Sequence, residues 1–67
     1  MLHRFRLRGK GLRQTWEKEC PPEFAKAHAH QVVREYANDD LYHGTDIVVT
    51  KDETEVAVIP VAKKGAA

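Results

Sequence analysis

Cysteine is almost missing from this chain. Cys20 is the only one in 67 residues. An intramolecular disulfide is excluded, and any zinc site would depend on histidine or carboxylate ligands. A lone thiol in so short a chain fits a reducing compartment, and the expected location is the cytoplasm. No apolar run approaches the roughly 20 residues of a membrane span, so no membrane partner is expected. No apolar segment backs the arginines near the N-terminus, so a secretory leader is not expected. Gly9-Lys10-Gly11 is too short for a phosphate loop and precedes a strand rather than a helix. No internal repeat has the period of a solenoid. Length is scarce too. A chain of this size buries only about 60% of the surface its unfolded form exposes, leaving a stability on the order of a few kcal/mol. Little room remains for an enclosed catalytic cleft. Composition and size favour a binding protein or a subunit over an enzyme, and no cofactor is expected.

What the chain does have is ordinary apolar content, 42%, enough for a folded core, and an uneven spread of charge. Residues 1–20 hold six Lys/Arg against two Glu, a net of +4 (six minus two). Residues 21–67 hold five Lys/Arg against eight Asp/Glu, a net of −3 (five minus eight). Such asymmetry points to an interaction surface, or to two halves that attract each other.

Leu2 to Glu19 alternates apolar and polar residues around Gly9-Lys10-Gly11, the signature of a β-hairpin. With Gly9-Lys10 as the turn, Leu7 opposes Leu12, Arg6 opposes Arg13 and Phe5 opposes Gln14. One face then carries Phe5, Leu7, Leu12 and Trp16. The other carries Arg4, Arg6, Arg8 and Arg13. A one-residue slip would swap the faces and bury the arginines, so the register is expected to be well specified. Cys20-Pro21-Pro22 ends the second strand. Pro22 suits the first turn of a helix, and Glu23 suits its positive end. Phe24, Ala25, Ala29, Val32, Val33 and Tyr36 recur at spacings of three and four, which predicts a helix from Pro22 to Asn38. Leu41 and Tyr42 are expected to anchor the connection. Thr45 to Thr50 and Glu55 to Ile59 read as a second hairpin with Asp52-Glu53 at its tip. In that register Val49 opposes Val56 and Ile47 opposes Val58 on the core side, with Val48, Thr50, Glu55, Ala57 and Ile59 outward.

The predicted fold is α+β: an antiparallel four-stranded sheet of two hairpins, in the order β-β-α-β-β, with one helix packed on one face. Residues 1–60 form the single domain and 61–67 a flexible C-terminal tail. If the hairpins pair along the first strand, the basic side chains line the open face of the sheet.

Four histidines, His3, His28, His30 and His43, raise the question of metal. His28 and His30 are two apart on a helix and point about 200° apart, so they cannot share an ion, and no metal site is expected. Surface positions are expected for the histidines, or the border of the core for His28. Cys20 lies just before two prolines, where a small apolar residue packs well. No catalytic residue is assigned.

The arginine face stands above this background. Arg6 opposite Arg13 sets like charges across a strand pair at a cost in stability, which a phosphate- or carboxylate-bearing partner would relieve. The plainer reading is a solvated face whose charges keep edge strands from pairing. Outward Val48, Ala57 and Ile59 would add an apolar patch beside the basic one, as at an interaction surface or a homodimer contact.

Tyr42-His43-Gly44-Thr45, followed by Ile47-Val48-Val49 and the hairpin closing at Ile59, resembles small β-β-α-β-β proteins of phages and mobile elements, most of all a type I-F anti-CRISPR protein. That resemblance implies binding to the Cascade surveillance complex, a host CRISPR effector, along its guide-RNA backbone, with basic side chains obstructing target DNA. The basic helix positions of that family are met by Lys26 and Arg34, while acidic Glu35, Asp39 and Asp40 depart from its pattern. The expected partner-binding set is Arg4, Arg6, Arg8, Lys10, Arg13, Lys26 and Arg34. The expected function is a non-enzymatic interaction protein, a phage-type inhibitor of a host nucleoprotein complex. The alternatives are a direct nucleic-acid-binding module, with Trp16 or Phe5 near bases if exposed, and a small accessory subunit or homodimer.

Overall fold

The first two strands meet at the tightest loop a hairpin allows. In the computed structural model, which describes residues 1–62, β1 (Leu2–Gly9) and β2 (Leu12–Glu19) flank the two-residue turn Lys10-Gly11. Its φ angles are 52° and 72°, the left-handed pair that a tight hairpin turn needs. The predicted turn lay one residue earlier, so every cross-strand pair moves by two: Phe5 opposes Trp16, Leu7 opposes Gln14, and Arg8, not Arg6, opposes Arg13. A shift of two leaves each side chain on its face. Phe5 and Leu7 are fully buried and the arginines are exposed, as expected.

Helix α1 (Pro22–Tyr36) starts at the predicted proline and stops two residues before Asn38. Ala25, Ala29 and Val32 are buried against the sheet, and Val33 and Tyr36 pack partly on the same cluster. Phe24, expected in the apolar stripe, is 66% exposed. It stands one position ahead of Ala25 in the first turn, and about 100° of rotation carries it off the buried face. A 3₁₀ turn follows at Asp40–Tyr42, started by the Asp39 carboxylate, which accepts from the Leu41 amide at 3.0 Å. Tyr42 anchors the connection by stacking on Tyr36, with centroids 4.3 Å apart. Leu41, the other expected anchor, is exposed.

Strands β3 (Asp46–Lys51) and β4 (Thr54–Pro60) form the second hairpin around Asp52-Glu53. The sheet order is β2-β1-β3-β4, all antiparallel. This is the predicted α+β arrangement of two hairpins and one helix, joined along the first strand. The predicted faces of β4 are wrong. Thr50 opposes Glu55 but Val49 opposes Ala57, which leaves Val56 as an extra residue in a β-bulge. The bulge flips everything after it. Ala57 and Ile59 turn inward onto the core, while Val56 and Val58 are exposed. Thr50, Glu55 and Val48 lie on the outer face as expected, Val48 directly across from Arg6. Val48 is nevertheless fully buried there, consistent with arginine stems lying over its methyls.

The core lies between helix and sheet: Phe5, Leu7, Ile47 and Val49 below, and Ala25, Ala29 and Val32 above. Packing continues past Pro60, where the tail was expected to begin. Val61 is buried, and its amide donates to the Thr45 carbonyl at 2.8 Å. The expected tail from residue 63 onward lies outside the described residues. No helix among the described residues is long and apolar enough to cross a membrane.

Candidate interaction face

The helix covers one side of the sheet and leaves the other open. Cross-strand pairs share a face, so the open side is read off in rows. One row runs Glu17, Arg4, Thr50, Glu55. The next runs Thr15, Arg6, Val48, Val58. The third runs Arg13, Arg8, Asp46, Pro60. Four of the seven candidate partner-binding residues, Arg4, Arg6, Arg8 and Arg13, are therefore brought together. Lys10 sits apart at the hairpin tip, where a side chain on Gly44 would meet its Cε at 3.1 Å. Lys26 and Arg34 are exposed on the helix, on the opposite side of the molecule.

The arginines are not bare, although nothing in the sequence pattern marked a carboxylate to meet them. Arg8 reaches Glu55 Oε2 at 3.3 Å and Asp46 Oδ2 at 3.9 Å. Arg6 lies 3.7 Å from the same Glu55 oxygen, and Arg4 3.8 Å from Glu17. Asp46 and Glu55 arrive from β3 and β4, across a seam that local pattern does not specify, and Glu17 faces Arg4 only in the register set by the Lys10-Gly11 turn. The pairs are exposed, and such pairs contribute about 0–1 kcal/mol each. An incoming anion can exchange with them at little cost. Arg13 differs: among the described residues it has no ion-pair partner, and its cross-strand neighbour is Arg8.

The aromatic rings are on the wrong side for stacking on bases at this face. Phe5 is fully buried and Trp16 lies over it, centroids 5.6 Å apart and nearly parallel. Trp16 Nε1–H donates to His28 Nε2 at 3.1 Å, and His28 meets the edge of Phe5 at 4.9 Å. His28 is thus at the core border, one of the two placements the sequence allows, and in its neutral form holds Trp16. Burial, and then the positive charge of Lys18, lower its pKa, while Glu35 opposes them. Below the ordinary histidine value of about 6.5 the unfolded chain binds a proton that the folded chain resists. This contribution to stability is complete above that value and is lost as the pH falls through the folded-state value. The urea midpoint is expected to fall between about pH 7.5 and about pH 5.5, and His28→Gln to flatten part of that fall. An unchanged slope in His28→Gln would show that His28 is not the titrating group.

The Tyr42 to Thr45 step is a joint. The His43 Nε2–H donates to the Ala37 carbonyl at 2.8 Å, and the Thr45 hydroxyl donates to the Tyr42 carbonyl at 2.6 Å. Gly44 takes φ 88°, a left-handed conformation that glycine adopts without strain. A side chain on Gly9 would meet Thr45 Cα at 3.2 Å, so the hairpin tip leans directly on this joint. No group of three or more metal-ligating side chains occurs among the described residues. Cys20 Sγ lies 3.9 Å from His3 Nδ1, and both residues are buried, an arrangement of packing rather than of access. Comparison with family models, with curated proteins and with solved structures gives no match.

Proposed function

We propose that this chain is a non-enzymatic interaction protein that docks on a nucleoprotein complex through its open sheet face. The observation that carries this reading is the set of four arginines, Arg4, Arg6, Arg8 and Arg13, standing together on the one side of the sheet that the helix leaves uncovered. Arginine forks suit phosphate and carboxylate groups. The exposed Val58, in the same row as Arg6, offers apolar contact. Phe5 buried and Trp16 partly buried on the opposite side favour a protein-bearing partner over single strands gripped by stacking. The Tyr42 to Thr45 resemblance to type I-F anti-CRISPR proteins points to the CRISPR surveillance complex as that nucleoprotein, with target DNA binding as the step blocked. The open face supports the coarser reading, and the resemblance alone supports the finer one.

Binding to a reconstituted type I-F surveillance complex tests both. Association is expected, with loss of target DNA binding. Arg6→Glu combined with Arg8→Glu is expected to weaken it by roughly tenfold or more, since like charges then meet across the contact. No association with the complex overturns the finer reading. A salt-sensitive gel shift with free RNA or DNA would instead identify a direct nucleic-acid binder.

A further inference from the structure

The two edges of the sheet are not alike. β4 carries the bulge at Val56 and ends in Pro60, both devices that discourage a further strand. β2 has neither. Its eight residues run unbroken, paired on one side only. The Cys20 amide donates to the Met1 carbonyl at 2.9 Å. Hydrogen-bonded pairs alternate in an antiparallel ladder, so even-numbered residues of β2 bond to β1. The amides and carbonyls of Arg13, Thr15, Glu17 and Glu19 point to the free edge.

We propose that two copies of this chain pair antiparallel along β2, with Thr15 opposite Thr15 of the second copy, and so extend the sheet to eight strands. This register uses only residues whose backbone groups are free. It also sets Arg13 of each copy opposite Glu17 of the other, on the open face, twice over by symmetry. Among the described residues Arg13 is the one arginine of the open face without a carboxylate, and Glu17 meets only Arg4 there, at 3.8 Å. Charges on an edge strand ordinarily repel a second copy. Here their order along the strand, positive at 13 and negative at 17 about a neutral centre at 15, makes the edge complementary to itself. The inference goes beyond the proposed docking role and does not depend on it.

Sedimentation equilibrium tests it. The wild-type chain is expected at twice the 7.6 kDa of one copy. Arg13→Glu alone and Glu17→Arg alone each set like charges across the pairing and are expected to sediment as single chains. An equimolar mixture of the two variants restores opposite charges at both contacts and is expected to return to the doubled mass. Both positions are exposed, and circular dichroism checks that each variant is folded. A wild-type protein at single-chain mass overturns the proposal. So does a doubled mass that neither variant reduces, or a mixture that stays at single-chain mass.

Discussion

Phe5→Ala is expected to leave the chain unfolded at 25 °C. Phe5 is 0% exposed, stacked on Trp16 and met edge-on by His28. Truncating a buried phenylalanine costs about 3–5 kcal/mol, and its aromatic contacts add roughly 0.5–1.5 kcal/mol. A domain of this size holds only about 3–5 kcal/mol in total, so the loss matches the whole. Far-UV circular dichroism against urea should show a cooperative transition for the wild type and no folded baseline for Phe5→Ala. Phe5→Leu, which keeps most of the volume, should retain a transition at lower urea. A Phe5→Ala protein that melts cooperatively within about 1 kcal/mol of wild type would mean the core is centred elsewhere.

Ala29→Leu is expected to destabilise by about 1–3 kcal/mol, through overpacking. Ala29 is 0% exposed where the helix meets the sheet, and Ala25 is 1% exposed one turn earlier. The small side chains set how closely the two layers approach, and a leucine must push them apart. Ala27→Leu is the matched control: it lies on the exposed side of the same helix. Its effect should stay within about 0.5 kcal/mol, since leucine and alanine are both good helix formers. Urea midpoints of the two variants rank them directly. The reverse ranking would show that the helix packs through a different face.

The helix and the first hairpin were legible for the same reason: their periodicities survive small errors of placement. Moving the turn from Gly9-Lys10 to Lys10-Gly11 changes every partner and no face. The second hairpin lacks that protection. One extra residue, Val56, has no signature in an apolar run such as Val56-Ala57-Val58-Ile59, yet it exchanges Ala57 and Ile59 with Val56 and Val58. The arginine face was legible as a face but not as an electrostatic object. Its neutralising carboxylates, Asp46 and Glu55, reach it only because β1 lies beside β3, and nothing local dictates that pairing. The like-charge contact likewise passes from Arg6 to Arg8 once the true register is known.

The seam between β1 and β3 also governs how the molecule comes into being. It joins Arg4 to Thr50 and Arg8 to Asp46, residues from opposite ends of the chain, and it runs through the middle of the sheet. Each hairpin can close quickly by itself, but the long loop between them must be drawn in before the core exists. On a ribosome the first hairpin emerges with Phe5 and Leu7 uncovered and the inner edge of β1 unpaired until β3 has been made. That interval is when the chain is most exposed to mispairing, and the run of arginines along β1, repelling its like, is a safeguard suited to it.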